Sequence, residues 1–197
     1  MKITFRSHYT RMPVEFYKYA TSSPWGVSFF YWLNPVSLTL MKMLVTGGAG
    51  FIGTNFVRRT LTTRPEYEIT VLDKLTYAGN SSNLTGLDVH FVQGDVADRE
   101  LVDKLVKASD VVVHFAAETH VDASLRDPAA FVHSNVVGTF ALLEAIRKYD
   151  IRLHYISTDE VFGDLALTDP RRFTETSSYN PSSPYSATKA GADHLVR

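Results

Sequence analysis

An apolar run, Lys42–Thr46, leads directly into Gly47-Gly48-Ala49-Gly50-Phe51-Ile52-Gly53, and helix-compatible text follows at once. This order of strand, glycines and helix constrains the fold more than any other feature of the chain. Glycines permit a tight turn and let a ligand's phosphates approach the backbone, while the free N–H groups of a helix start attract negative charge. Glycine-rich turns are common, so the motif alone is weak. Here its place between strand and helix predicts a dinucleotide site, with Gly47, Gly50 and Gly53 at G-x-x-G-x-x-G spacing.

From Met41 onward, short Val/Ile/Leu-rich runs alternate with amphipathic stretches. Strands are predicted at Lys42–Thr46, Glu68–Asp73, Asp88–Gln93, Asp110–Phe115 and Leu153–Ser157. Between the last two, Val132, Val136, Phe140, Leu143 and Ile146 recur at helical spacing and predict a face packed on a sheet. The fold class that follows is α/β, a doubly wound parallel sheet of Rossmann type. Residues 1–40 lack either period and read as a separate extension, with translation expected to start at Met41 or Met43. The stretch from Trp25 to Leu40 contains Asn34 and Pro35 and is too short to read as a spanning helix. A signal peptide also fits poorly.

Twenty basic against twenty-one acidic residues give a net charge of −1, with no block of like charge. Neither a nucleic-acid partner nor a membrane surface is expected. No cysteine is present, which excludes disulfides, thiolate metal sites and cysteine nucleophiles and is compatible with a cytoplasmic location. No HExxH-type spacing occurs, so no metal is expected.

Ligands of open α/β sheets bind beyond the carboxyl ends of the strands, so the residues there are the candidates. Asp73 ends the second strand about 20 residues past the last glycine, where a carboxylate can accept from ribose hydroxyls and repel a 2′-phosphate. NAD is therefore expected rather than NADP, although Lys74 weakens the argument. Asp95 ends the third strand and could face an adenine amino group; small Ala116 and Ala117 after the fourth could let a cofactor lie against the backbone.

Tyr185 and Lys189 stand one helical turn apart after Ser183 and Pro184, a favourable helix start. The ammonium is expected to lower the phenol pKa from about 10, so that Tyr185 can take a proton from an alcohol as hydride leaves. After the fifth strand, Ser157-Thr158-Asp159-Glu160 places hydroxyls and two carboxylates at the same end of the sheet. A dehydration needs such a pair: one group to remove a carbon-bound proton, another to protonate the departing hydroxyl.

The segments GGAGFIG, VLDKLTYAGN, FAAETHVDASL, SNVVGT, STDEVFGD and PSSPYSATKAGADHLVR, in this order from Met41 to Arg197, resemble the dTDP-glucose 4,6-dehydratase family of extended short-chain dehydrogenases/reductases. STDEV and LTYAGN discriminate; sugar-nucleotide epimerases resemble the chain elsewhere but generally lack the Asp-Glu pair. The resemblance implies NAD contacts at Phe51, Ile52, Asp73, Lys74, Leu75, Thr76, Asp95, Val96, Phe115, Ala116, Ala117, Glu118, Thr119, Ser134, Tyr185 and Lys189. It implies sugar contacts at Thr119, where the family often has Ser, and at Thr158.

The implied chemistry begins as Tyr185 takes the 4-hydroxyl proton and hydride passes to NAD. Glu160 then removes the carbon-5 proton while Asp159 protonates the leaving 6-hydroxyl, and hydride returns to carbon 6. A nucleotide-sugar substrate and a homodimer through the helix around Asn135–Arg147 and the Tyr185 helix are implied as well. Family chains continue past Y-x-x-x-K into a substrate-binding domain, so the catalytic domain, residues 41–197, is expected to be incomplete and insufficient for turnover. The alternatives are a sugar-nucleotide epimerase or related oxidoreductase, and an inactive NAD-binding fragment. Phe162, where the family often shows Tyr, is a mild departure.

Overall fold

The computed structural model describes residues 40–166 and 168–197. The expected extension, apart from Leu40, lies outside the described residues. Five parallel strands form one sheet: β1 (Lys42–Thr46), β2 (Glu68–Asp73), β3 (His90–Gln93), β4 (Val111–His114) and β5 (Arg152–Tyr155), in the order β3-β2-β1-β4-β5. This is the doubly wound Rossmann-type arrangement expected. The crossover segments hold the helices α1 (Phe51–Thr63), α2 (Arg99–Lys107), α3 (Val121–Arg126), α4 (Pro128–Phe131) and α5 (Thr139–Tyr149). A π-helical segment, Val132–Gly138, joins α4 to α5, and α6 (Pro184–Val196) follows the sheet.

Alternation along each strand sends side chains to two cores. Met43, Val45, Ile69, Val71, Val111 and Val113 pack with Val57 of α1 on one face. Leu44, Leu72 and Val112 pack with Val102 and Val106 of α2 and Leu142 and Ala145 of α5 on the other. The inner strands β1, β2 and β4 are mainly apolar because both of their faces are covered, whereas the edge strands β3 and β5 are mixed and only partly buried.

β1 and β2 have the predicted limits, whereas β3, β4 and β5 differ by one or two residues. Beyond the regular ladder, single bonds persist: Phe115 N–H donates to Thr46 O at 2.9 Å and Ile156 N–H to His114 O at 3.2 Å. The larger correction concerns the helix before β5. Its predicted sheet-facing stripe is the more exposed one, with Val132 47% and Phe140 37% accessible, and the buried side is formed by Phe131, Asn135, Gly138, Leu142 and Ala145. Close approach accounts for this, because a Cβ on Gly138 would lie 2.4 Å from Val96 Cγ1. Small and polar residues therefore occupy the closest approach, with Phe131 and Leu142 filling the space beside them, and the predicted stripe reaches the core only at its Ile146 end. The continuous helix Pro128–Tyr149, 22 residues long, is apolar enough to cross a membrane by length and composition. It packs here against α2 and α6 and buries Asn135 and Thr139.

Candidate active site

The turn after β1 has a backbone that only glycine fits well. Gly47 sits at φ +71°, and a Cβ there would meet Ala116 N at 2.5 Å. A Cβ on Gly53 would fall 2.3 Å from Gly47 O, so the start of α1 rests directly on the turn. Gly50 precedes α1 without a side-chain cap, and no acidic residue stands in the first turn. Phe51 and Ile52 are 82% and 64% exposed at this helix start, beside its free N–H groups.

Asp73 closes the turn from β2. Its Oδ2 accepts from Ala49 N–H and its Oδ1 from Leu75 N–H, both at 2.9 Å. One carboxylate thus fixes the glycine turn and the following loop while remaining at the cleft wall. Asp95, after β3, accepts from Lys74 Nζ at 2.7 Å and His133 Nε2 at 3.1 Å, and from Ala97 N–H at 2.9 Å. Burial pushes its carboxyl up, but these hydrogen bonds and the Lys74 charge together hold it below the usual range.

The helix start expected at Ser183 is present. Ser183 Oγ accepts from Ser186 N–H at 3.0 Å, Ser186 Oγ accepts from Ser183 N–H at 2.9 Å, and Pro184 is the first helical residue. This α6 carries Tyr185 and Lys189, both buried, against the sheet. The expected electrostatics of the pair is not what the structure contains. Lys189 Nζ donates to Ile156 O at 2.7 Å and lies 4.4 Å from the centre of the Tyr155 ring. Burial lowers the lysine to about 8, against the opposing charge of Asp193. Tyr185 is raised rather than lowered: burial dominates, a hydrogen bond with Thr158 opposes it, and the charges of Glu160 and Asp159 add to the rise.

Thr158 caps the 3-10 turn Asp159–Phe162, accepting from Glu160 N–H at 3.3 Å. Asp159 and Glu160 are exposed on this turn, close enough for their charges to act on Tyr185.

Two residues that the sequence reading missed assemble the site. Asn135, 1% exposed, accepts from Glu118 N–H at 2.8 Å and donates to Glu118 O and to Thr188 Oγ1, each at 3.0 Å. It ties the loop after β4 to the tyrosine helix. Tyr77 Oη accepts from Thr119 N–H at 3.1 Å and His120 N–H at 3.3 Å, joining the loops after β2 and β4. Asn135 lies within SNVVGT and Tyr77 within LTYAGN; both segments carry the resemblance, but neither residue was given a role of its own.

These elements enclose a cleft of about 330 Å³. It is lined by Gly47, Gly50, Phe51, Ile52, Gly53, Asp73, Lys74, Thr76, Asp95, Val96, Phe115, Ala116, Ala117, Glu118, Thr119, Ser134, Tyr185 and Lys189, all of them sequence candidates. Leu75 is the cofactor candidate left outside, because at φ +58° it turns away and packs into the α1-side core. Thr158, Asp159 and Glu160 stand beyond the lining. Leu72, Ala78, Gly79, Gly94, Ile156 and Ser157 complete the wall.

Residues 44–197 match the family model described as GDP-mannose 4,6 dehydratase. The dTDP-glucose 4,6-dehydratase of Mycobacterium tuberculosis is 61% identical over 159 residues, which cover 80% of this chain and 48% of that protein. A Streptomyces venezuelae dTDP-glucose 4,6-dehydratase crystallised with NAD and TYD superposes with a TM-score of 0.74 at 44% identity, covering 79% of this chain and 50% of that one. Thermus thermophilus UDP-glucose 4-epimerase in complex with NAD gives 0.71 at 35% identity, covering 79% and 50%. The chain spans about half the length of the curated relatives it matches. With the match running from β1 through the tyrosine helix, the chain belongs to the GDP-mannose 4,6 dehydratase family.

Proposed function

We propose that this chain carries the NAD-binding and catalytic portion of a dTDP-glucose 4,6-dehydratase. The observation that carries the reading is the meeting, at one end of the sheet, of the glycine cradle, the buried Tyr185 and Lys189, and the Asp159–Glu160 pair whose charges act on Tyr185. The glycine turn fits a dinucleotide: Cβ atoms would fill it at Gly47 and Gly53, and the start of α1 offers free N–H groups to a pyrophosphate. Bound NAD supplies the acceptor and later the donor of hydride. Asp73 and Asp95 form the adenosine end of the cleft, and the Asp73 carboxylate selects against a 2′-phosphate.

Tyr185 takes the proton of the sugar 4-hydroxyl, with Lys189 held in the same cleft by the Ile156 carbonyl, while Thr158 and Thr119 hold the sugar. Oxidation at carbon 4 acidifies carbon 5, whose proton Glu160 removes; Asp159 donates a proton to the leaving 6-hydroxyl. An epimerase reading requires no such carboxylate pair. The partner is a nucleotide sugar, the location cytoplasmic, and the assembly a homodimer through the exposed side of Val132, Val137 and Phe140.

The test compares the chain with the same chain continued by the carboxy-terminal half of a similar dTDP-glucose 4,6-dehydratase. Both should bind NAD more tightly than NADP in a fluorescence titration; equal binding removes the role given to Asp73. In the continued chain, Tyr185→Phe should slow formation of reduced nicotinamide from dTDP-glucose by roughly 100-fold or more. Asp159→Asn with Glu160→Gln should leave that step measurable and abolish 4-keto-6-deoxy product. Undiminished product from the double variant refutes the assigned acid and base.

A further inference from the structure

Among the described residues, two buried side-chain oxygens have no hydrogen-bond partner: Tyr155 Oη on β5 and Asp193 Oδ1 on α6. Asp193 is 8% exposed and follows Lys189 by one helical turn, as Lys189 follows Tyr185. The three therefore share the sheet-facing side of α6. The other Asp193 oxygen is fully engaged: Oδ2 accepts from Ser157 Oγ at 2.7 Å and from Tyr179 Oη at 2.8 Å. Ser157 is the residue immediately before Thr158, Asp159 and Glu160, and Tyr179 belongs to the loop that leads into α6. Beside Tyr179, Asn180 N–H donates to Val161 O at 3.0 Å, within the Asp159–Phe162 turn.

We propose that Asp193 is a positioning residue of the active site: its buried carboxylate keeps the Lys189 ammonium charged and fastens the Ser157–Glu160 segment and the Tyr179 loop to α6. The geometry behind this is placement rather than contact: among the described residues Lys189 forms no salt bridge, and Asp193 is held by Ser157 and Tyr179 one helical turn along the same side of α6. Lys189 Nζ meets a carbonyl, that of Ile156, and the face of the Tyr155 ring. The titratable groups around it are His114 on β4, Tyr155 on β5, Tyr185 and Asp193 on α6, and, through Asp193, Tyr179. His114 is buried between Thr46 and Thr139 and is held down to about 3, so it carries no charge near neutrality. Tyr155 is pushed up by burial and by Asp193 and stays a neutral phenol. Asp159 and Glu160 face Tyr185 instead. Asp193 is the one acid in the set, and it opposes the burial that drives Lys189 toward the neutral amine.

The catalytic consequence rests on the dehydratase reading above; the coupling between Asp193 and Lys189 does not. NMR of the intact chain labelled with 13C at lysine Cε, with Lys189→Arg to assign the signal, reads the Lys189 midpoint without cofactor or turnover. The wild-type midpoint should lie above pH 7, and Asp193→Asn should lower it by about one unit or more. Asp193→Ser, smaller and still able to accept from Ser157 or Tyr179, is the second neutral variant should the amide not fold. Asp193→Glu should restore the midpoint to within a few tenths of a unit, which a purely structural role would not require. A wild-type midpoint below pH 7, or one unchanged in a folded neutral variant, overturns the proposal. In the same samples NAD should bind the neutral variants at least threefold more weakly than Asp193→Glu. Failure of wild type to bind NAD would overturn the cofactor reading while leaving the NMR result to decide the role of Asp193.

Discussion

His114 shows how a single buried side chain can fix a direction through the core. Thr139 Oγ1 donates to Asn135 O at 2.7 Å, so its contact with His114 Nε2 at 3.1 Å requires the ring nitrogen to donate. His114 Nδ1 is then the acceptor, at 2.6 Å, for the Thr46 hydroxyl. A neutral imidazole thus links β1, β4 and the helix before β5, and burial pushes its pKa down to about 3. The unfolded chain binds this proton from about pH 6.5 downward, whereas the folded chain does so only near 3. The histidine should therefore cost no stability above pH 6.5 and lose up to ~1.4 kcal/mol per pH unit between those limits. Urea unfolding across that window should show the slope in wild type and its reduction in His114→Gln. Equal slopes would mean that the imidazole is accessible to protons in the fold. Gly53 is constrained by contact distance rather than by charge. Gly53→Ala must displace Gly47 O, at a cost of about 1–3 kcal/mol, and should weaken NAD binding more than tenfold in the same titration.

At the scale of elements, the three inner strands β1, β2 and β4 were legible because they are buried on both faces and read as apolar runs between turn signals, while the edge strands β3 and β5, only partly buried, were bounded less closely. The glycine turn, Asp73 and the capped tyrosine helix were legible for a related reason: local chemistry dictates them. What the sequence did not disclose is set by approach distance. Gly138 faces the interior because the helix there lies too close to Val96 for a side chain, which turns Val132 and Phe140 of the aliphatic stripe outward. The direction of the Lys189 side chain was likewise illegible, since it depends on the Ile156 carbonyl and Tyr155 ring from a distant strand. Asn135→Ala tests the concealed element. Losing its bonds strands the half-buried Glu118 N–H and C=O and leaves Thr188 without this partner, and the fold should lose roughly 2 kcal/mol in denaturant unfolding. Wild-type stability in that variant would show that the loop after β4 finds other partners.

For the whole molecule, the outward stripe becomes the informative surface. Val132, Val137 and Phe140 on the helix before β5 and Leu195 on α6 are 37–47% exposed, far from the glycine turn in sequence yet on adjoining helices. In the proposed homodimer this side meets a second copy, so Val132→Glu with Phe140→Asp should shift the sedimentation coefficient from dimer to monomer. NAD affinity should change less than threefold, because neither side chain lines the cleft. A wild type that sediments as a monomer at all concentrations would remove the dimer from the reading.

The position of β1 in the sheet bears on how the molecule comes into being. Among the described residues it is the first strand in the chain order and also the central one, hydrogen-bonded to β2 on one side and β4 on the other. Thr46 must wait for His114, 68 residues downstream, before its second edge is covered. During synthesis β1 and β2 can pair early across α1, but the face that will carry the tyrosine helix is assembled only after β4 and β5 have emerged. Loop closure grows slowly with separation, by ~0.6 kcal/mol per doubling, so the delay is one of time on the ribosome more than of free energy. Until then the inner edge of β1 is exposed, and a strand whose Met43–Thr46 are destined for the interior needs shielding from its neighbours.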